Sequence, residues 1–211
     1  MSWGKLSPPV ELLCISSLPI ASLGGKRAHP YSIWTRALIR IEPLSAADPA
    51  AVEELLDAAF GTDRHGRTAY KLRAGTLPLP LLSFAAFDGD ALVGTLQSWP
   101  VRLILDDGGE EQLVLVGPVA VSPSRQRGGI GVALMKAMLA AADAAGEDAL
   151  MLIGDPEYYG RFFGFSADET AGWEVPGPVE RHRLLARLHG PRLVGRRGEL
   201  GPALGLGDRI A

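Results

Sequence analysis

The amino-acid sequence predicts an α/β (α+β) domain in which helices flank a mixed sheet. The middle of the chain alternates apolar segments with short Asp/Gly turns, a pattern typical of antiparallel hairpins. Further along, an apolar-striped helix lies between two apolar segments, as in a strand–helix–strand unit. Hairpins followed by strand–helix–strand favour one sheet of mixed direction.

Bulk composition limits the classes of protein to consider. The chain has 211 residues, which suits one domain, and its 47% hydrophobic and 21% charged residues are ordinary for a globular protein. A net charge of −3 lacks the basic excess of a nucleic-acid binder. No apolar run reaches the roughly 18 residues of a membrane span. We therefore expect a soluble protein with neither a nucleic-acid nor a membrane partner.

Cysteine and histidine usage excludes two further kinds of site. The single cysteine, Cys14, excludes an internal disulfide and fits a reducing, cytoplasmic location. The four histidines are scattered without metal-ligand spacing, so the sequence predicts no metal.

Three segments are predicted along the chain. Residues 1–36 lack sustained periodicity and are expected to be an irregular extension. A signal peptide or a misassigned start codon stays open there, although Glu11 interrupts the apolar stretch. Residues 37–190 carry the patterned domain, and the Gly-rich residues 191–211 are expected to be an irregular tail.

The domain begins with a strand at Ala37–Ile41 and a helix that starts at Asp48-Pro49 and ends at Gly61. A second short helix is predicted over Arg67–Arg73. The apolar positions of the first helix are Val52, Leu55, Leu56 and Phe60.

Strands are predicted at Ser83–Phe87 and at Ala91–Gln97, the second continuing to Leu105. The long apolar strand Gln112–Val121 is interrupted by Gly117-Pro118. Proline cannot donate to a ladder, so this pair indicates a bulge or an unpaired edge.

The clearest helix is Gly131–Ala145, which Gly146 ends. The apolar run Ala149–Ile153 follows as a buried strand, and Tyr158–Phe163 is predicted to be a short helix. The predicted apolar stripe of the long helix consists of Val132, Met135, Leu139 and Ala142.

The segment from Val119 to Leu134 leads from a strand through a glycine-rich loop into a helix. Glycines let the backbone approach a ligand closely, and the first N–H groups of a helix lack internal partners. Together with Arg125 and Arg127, these features predict an anion site. A glycine-rich turn without a ligand remains the alternative.

Two familiar phosphate motifs do not fit this loop. A P-loop requires lysine after its last glycine, whereas Val132 follows Gly131. The dinucleotide fingerprint requires glycine or alanine where the sequence has Leu134, and it must follow its strand directly.

The loop fits the pattern Gln/Arg-x-x-Gly-x-Gly/Ala, and an aromatic stretch at Glu157–Phe165 ends in Gly-Phe. Over residues 36–190 the chain resembles the GNAT superfamily of acetyltransferases, most of all a bacterial subgroup of N-acetyltransferases of undefined substrate. The six loop residues are Gln126, Arg127, Gly128, Gly129, Ile130 and Gly131.

The resemblance implies a mostly antiparallel sheet flanked by helices, with a splayed pair of strands that holds acyl-CoA. Acetyl-CoA would be the co-substrate, and no metal would be needed. Backbone groups of Val119, Ala120 and Val121 would contact the pantetheine arm. The loop Gln126–Gly131 would hold the pyrophosphate.

The resemblance also implies a tyrosine that serves the leaving thiolate. Tyr159 is the best match and Tyr158 the second, because the family's usual tyrosine position is Gly160 here. Simple packing of both tyrosines is the alternative. The candidate general bases are Asp63, His65 and Glu157, with a helix cap or a base-free water chain as alternatives. His65, near Arg64 and Arg67, could instead bind an anionic acceptor, and a solvated loop is the further alternative for this segment.

The sequence therefore predicts an N-acetyltransferase acting on a primary amine of a small molecule or protein. A non-catalytic acyl-CoA-binding module and an interaction protein are the competing hypotheses. The sequence names no acceptor and leaves open whether the protein is a homodimer.

Overall fold

The computed structural model describes residues 39–126 and 128–204, which contain one eight-stranded sheet and four α-helices. The strands are β1 (Arg40–Pro43), β2 (Phe84–Asp88), β3 (Ala91–Leu105), β4 (Glu110–Val121), β5 (Ala149–Ile153), β6 (Trp173–Glu174), β7 (Leu184–Leu188) and β8 (Gly198–Pro202). The helices are α1 (Pro49–Phe60), α2 (Thr68–Leu72), α3 (Ile130–Ala145) and α4 (Pro156–Phe163).

The sheet has the order β1-β2-β3-β4-β5-β7 and is mostly antiparallel. The first part of β3 pairs with β2, its last part pairs with β8, and β4 runs along its other edge. Among the described strands, only β4–β5 and β6–β8 are parallel. The predicted mixed sheet is confirmed.

Alternating side chains of β4 and β5 build two cores on opposite faces of the sheet. Val114 and Leu150 pack with α3 and α4 in one core. Leu115 and Met151 pack in the other, which contains the fully buried Trp173. A third cluster packs α1 against β2 and Ala120. The buried apolar run of β5 was therefore correctly predicted.

Both ends of α1 follow the predicted capping chemistry. The side chain of Asp48 accepts a hydrogen bond from the backbone N–H of Ala50 at 3.0 Å, and Pro49 occupies the first turn. Gly61 ends the helix with a φ of 83°, which favours glycine.

The predicted stripe of α3 is partly wrong. Val132 and Leu139 are only partly buried, because the helix turns a neighbouring ridge toward the sheet. Gly94 of β3 makes that close approach possible, since a Cβ there would lie 2.8 Å from Cγ2 of Ile130. The buried positions are Ile130, Leu134, Met135, Met138 and Ala142.

The prediction of an irregular tail is wrong over Gly198–Pro202, which forms β8 and pairs with β3. Gly198 resembles a turn signal in the sequence. In the fold it permits close backbone approach, because a Cβ there would lie 2.1 Å from the carbonyl oxygen of Ile104. Residues 205–211 lie outside the described residues.

At the other end, the predicted strand Ala37–Ile41 is observed at Arg40–Pro43. Its first two residues and the predicted extension 1–36 lie outside the described residues. Within the described ranges, no helix combines the length and apolar character needed to cross a membrane.

Candidate active site

The candidate site is a cleft at the point where β4 and β5 separate. These parallel strands pair only at Val114–Leu150 and Leu115–Met151. A cavity of about 890 Å³ lies beyond those pairs. It is lined by both strands, by Tyr159 of α4, by α2 with the turn before it, and by residues 178–180 and Arg183. The divergence matches the splayed strand pair that the family resemblance implies.

A bulge in β4 forms one wall of the cavity. Leu96 pairs with Val119 and Ser98 with Val116, so the single residue Gln97 lies opposite the pair Gly117-Pro118. Gly117 has a φ of 122°, which favours glycine. Before the bulge Val116 packs in the core with α3, and after it Val119 does. The extra residue therefore lets Val116 and Val119, which are three positions apart, face the same core. The bulge predicted from the sequence is present.

The last three residues of β4, Val119, Ala120 and Val121, are paired on one side only. Each pairs with β3, while β5 has already diverged and leaves their other edge without a strand among the described residues. Val119 lines the cavity. An unpaired strand edge offers backbone donors and acceptors to an extended ligand.

The glycine-rich loop leads into the N-terminus of α3. Gly129 occupies the N-cap with a φ of 77°, and no side chain caps the helix. Gly128 and Gly129 are exposed, and a Cβ on Gly129 would meet no atom within 4 Å. The first-turn N–H groups, at Ile130 and Gly131, therefore remain available to an anion.

The loop lies outside the residues that line the cavity, so it forms a separate part of the site. Arg125 forms an ion pair with Asp88 at the β2–β3 turn, which neutralises part of the positive charge predicted beside the loop. Gln126 is exposed, and Arg127 lies outside the described residues.

The two adjacent tyrosines of α4 point to different parts of the site. Tyr159 lines the cavity and packs against Gly154, where a Cβ would lie only 2.4 Å from its ring. The hydroxyl of Tyr158 lies near the start of α3, since a Cβ on Gly131 would be 3.8 Å from it. The structure thus places the two candidates at different parts of the site, with Tyr159, the better match in the sequence, at the cavity.

Burial raises the pKa of Tyr159 to about 12, with smaller contributions from the nearby Tyr158 and Asp155. Burial also raises the pKa of Tyr158. A phenol with a pKa of about 12 stays protonated near neutral pH. Tyr159 can therefore donate a hydrogen bond into the cavity.

Of the predicted general bases, only Asp63 lines the cavity. His65 is exposed and packs edge-on against Tyr70, with ring centroids 4.8 Å apart. Glu157 is exposed in the first turn of α4, where Asp155 is the residue whose side chain caps the helix.

Sequence reasoning missed Glu180, a second carboxylate that lines the cavity. It lies in an irregular segment between β6 and β7, where no periodicity marks it. Side chains of α2 bind this segment directly. Thr68 donates to the carbonyl oxygen of Pro178 at 2.9 Å, and Lys71 donates to that of Pro176 at 3.3 Å.

The sequence did not predict that two arginines of the same wall are buried. Arg64, expected in a solvated loop, is 2% exposed and bonds to Glu53, Asp57 and Tyr70. Arg73 is 7% exposed and also lines the cavity. Its spacing from Tyr70 places both on one face of a helical turn, a signal that could have indicated their contact.

Comparisons with known proteins agree with this geometry. A family model described as an acetyltransferase (GNAT) domain matches residues 40–167. A GNAT family N-acetyltransferase (YhbS) from Escherichia coli, solved in complex with CoA, is 27% identical with a TM-score of 0.60, covering 79% of this chain and 89% of that chain. A GNAT family acetyltransferase from Brucella melitensis, solved in complex with acetyl-CoA, is 26% identical with a TM-score of 0.57, covering 78% and 96%.

No curated protein matches the chain. The family model nevertheless matches more than half of this chain, including β4 and β5, the glycine-rich loop and α4 with its two tyrosines. This protein belongs to the GNAT family of acetyltransferases.

Proposed function

We propose that this protein is an N-acetyltransferase that transfers the acetyl group of acetyl-CoA to a primary amine of a small molecule or protein. The observation that carries the proposal is the separation of β4 and β5 around a cavity of about 890 Å³. Two similar structures were solved with CoA or acetyl-CoA bound, which supports the same donor here.

The chain offers a suitable group for each part of the donor. The unpaired edge of Val119–Val121 would bind the amide groups of the pantetheine arm, as a neighbouring strand would. The open N–H groups of the Gln126–Gly131 loop would bind the pyrophosphate. The thioester would then lie near the bulge, beside Tyr159.

The reaction requires a neutral amine nitrogen to attack the thioester carbonyl carbon. A C–N bond forms, the C–S bond breaks, and the proton lost by the amine balances the proton gained by the thiol. A backbone N–H at Val119 would stabilise the oxyanion of the tetrahedral intermediate. Asp63 or Glu180 would accept the amine proton, directly or through water.

Tyr159 would donate its hydroxyl hydrogen to the departing thiolate. Its pKa of about 12 lies well above the roughly 8.5 of a free thiol. Complete proton transfer from tyrosine to thiolate is therefore unfavourable. We infer that Tyr159 stabilises the thiolate by a hydrogen bond while the C–S bond breaks, and that the proton released by the amine completes the thiol.

The proposed catalytic domain starts near residue 37 and includes β8, beyond the boundary at residue 190 that the sequence predicts. The pairing of β8 with β3 supports this extension. A cytoplasmic location fits the single cysteine of the chain.

Release of free CoA thiol, measured with acetyl-CoA and a panel of amines, tests the function. We expect thiol release that depends on one class of acceptor, with the acetylated product confirmed by mass spectrometry. Binding of CoA without acceptor-dependent release would instead indicate a non-catalytic acyl-CoA-binding module. Absence of CoA binding would overturn the proposal.

A further inference from the structure

Arg73 is a buried cation that lines the cavity without a carboxylate partner among the described residues. It is 7% exposed, and its guanidinium donates to the neutral Oε1 of Gln97 at 3.2 Å. It lies 3.7 Å from the ring centre of Tyr70 and 4.3 Å from that of Trp99. Aromatic faces stabilise a cation only partly, so its burial remains costly without an anion.

The neighbouring Arg64 shows how this fold neutralises a buried guanidinium when the role is structural. Two carboxylates of α1, Glu53 and Asp57, bind it, and the phenol of Tyr70 accepts a further hydrogen bond. Its pKa is raised, whereas burial lowers the pKa of Arg73. The two arginines lie in one wall, yet among the described residues only Arg64 has carboxylate partners.

The position of Arg73 places it near the proposed reaction centre. Its hydrogen-bond partner Gln97 is the residue opposite the bulge Gly117-Pro118. That bulge lines the cavity where β4 and β5 separate. An anion bound by Arg73 would therefore lie close to the strand segment that presents the thioester.

We propose that Arg73 binds a carboxylate carried by a substrate, so that this enzyme acts on carboxylated substrates rather than on simple amines. The inference rests on the proposed function and specifies its substrate class. An arginine held against aromatic rings retains in-plane N–H donors, which suit a planar carboxylate. The carboxylate belongs either to the acceptor, as in an α-amino acid, or to the acyl chain, as in a dicarboxylic acyl-CoA.

Other charged residues of the cavity do not supply the missing anion. Asp63 and Glu180 are exposed, and Asp155 caps α4 through the N–H of Glu157.

Arg67 also lines the cavity, but it is exposed and donates to the carbonyl oxygen of Phe60 at 2.7 Å. It therefore provides a matched control for loss of a cavity arginine.

The test compares each of a panel of α-amino acids with its own carboxamide as acceptor. We expect kcat/KM to favour the acid by about 10- to 100-fold, the size of a hydrogen-bonded contact to a charged group. Arg73→Gln should reduce this acid-to-amide ratio to within about twofold of unity. Arg67→Gln should leave the ratio unchanged. Because the ratio is taken within one variant, partial loss of folded protein cancels.

A second arm locates the carboxylate when acceptors show no acid preference. Succinyl-CoA and butyryl-CoA are compared as donors, and a preference for succinyl-CoA that Arg73→Gln abolishes assigns the carboxylate to the acyl chain. A preference that depends on Arg67, or no preference in either arm, overturns the proposal while leaving acetyl transfer intact.

Direct binding provides a readout that needs no turnover. N-acetylated amino acids and their carboxamides are titrated calorimetrically into the protein saturated with CoA, and succinate serves as the probe for the acyl arm. Binding of a carboxylate by the wild type but not by Arg73→Gln supports the proposal. Failure of the wild type to bind any of these carboxylates overturns it. Failure of the proposed function is separate, because it appears as absence of CoA binding or as CoA binding without acceptor-dependent thiol release.

Discussion

The two sides of the site are built from different parts of the chain's chemistry. The proposed donor side, where CoA would bind, consists of backbone: a strand edge at Val119–Val121, a bulge and the N–H groups that follow Gly129. The proposed acceptor side consists of side chains from α2, its preceding turn and the segment before β7, among them Arg73 and Glu180. Only the donor side is continuous in sequence.

This difference explains how each side can change. A site made of backbone groups depends on local conformation, so it needs glycines at fixed spacing and tolerates few alternatives. A site made of side chains from separate segments can be altered by single substitutions without disturbing the sheet. We therefore expect the donor side to determine binding of the shared acyl donor, and the acceptor side to determine which substrate accepts the acyl group.

Tyr159 lies where the two sides meet, and its substitution should give the largest effect. We expect Tyr159→Phe to lower kcat on the order of 10²–10³-fold, the size of losing one hydrogen-bond donor in the transition state, with little change in KM for acetyl-CoA. The hydroxyl is needed only as the thiolate departs, while the ring still packs against Gly154. Steady-state kinetics with saturating acceptor provides the measurement.

The matched control is Tyr158→Phe, because the hydroxyl of Tyr158 lies toward the start of α3 rather than in the cavity. Its kcat should stay within about twofold of the wild-type value, a far smaller change than the loss of a transition-state hydrogen-bond donor causes. A large fall in kcat for Tyr158→Phe alone would move the role by one residue. A normal kcat for both variants would make the tyrosines structural.

Comparing substitutions of the glycines at the two ends of α3 measures the contribution of the loop to CoA binding. Gly129 and Gly146 have φ values of 77° and 74°, and a Cβ on either would meet no atom within 4 Å. Alanine should therefore strain both positions equally, by about 1 kcal/mol. Only Gly129→Ala should also weaken CoA binding, by about 10- to 100-fold if hydrogen bonds to the pyrophosphate are lost.

Calorimetric titration with CoA and thermal unfolding of both variants provide the measurements. Equal CoA affinities in folded Gly129→Ala and Gly146→Ala would remove the loop from the donor side. Gly131→Val adds a test at a position without positive φ, where a Cβ would make only ordinary contacts with Val121 and Tyr158. It too should weaken CoA binding while leaving the fold intact.

A smaller effect concerns pH. Because the pKa of Tyr159 is raised from 10.0 to about 12, only roughly 1% of it is ionised at pH 10, against half for an unperturbed tyrosine. With an acceptor amine that is already neutral at pH 8, kcat should change by less than about twofold between pH 8 and 10. A fall with a midpoint near pH 10, in protein shown by circular dichroism to be folded, would contradict the assignment.

The smallest expected effect is that of removing residues 1–35. The described residues that line the cavity begin at Phe60, and the first described strand begins at Arg40. A chain starting at Arg36 should fold and bind CoA with unchanged affinity in calorimetric titration. An insoluble or inactive shortened chain would show that the domain boundary lies earlier.

The donor side could be predicted from sequence because its determinants are local. The bulge at Gly117-Pro118 and the helix that starts beside Gly129 both follow from the conformations that glycine and proline allow. The family resemblance added the role of the loop and the splay of the strands. The capping of α1 by Asp48 followed from local chemistry in the same way.

The acceptor side could not be predicted because its residues meet only in the folded chain. In the sequence Arg64 belongs to a polar segment. Its burial depends on ion pairs with Glu53 and Asp57 of α1, which form only in the fold. Glu180 lies in a segment without periodicity. Strand β8 was missed for a related reason, since Gly198 permits close backbone packing rather than a turn.

A crystal structure of the protein with CoA tests the central claim most directly. We predict that the pantetheine arm lies along Val119–Val121, the pyrophosphate contacts the N–H groups of residues 128–131, and the thiol lies within hydrogen-bonding distance of the Tyr159 hydroxyl. CoA bound away from the separation of β4 and β5, or with its thiol remote from Tyr159, would contradict the account.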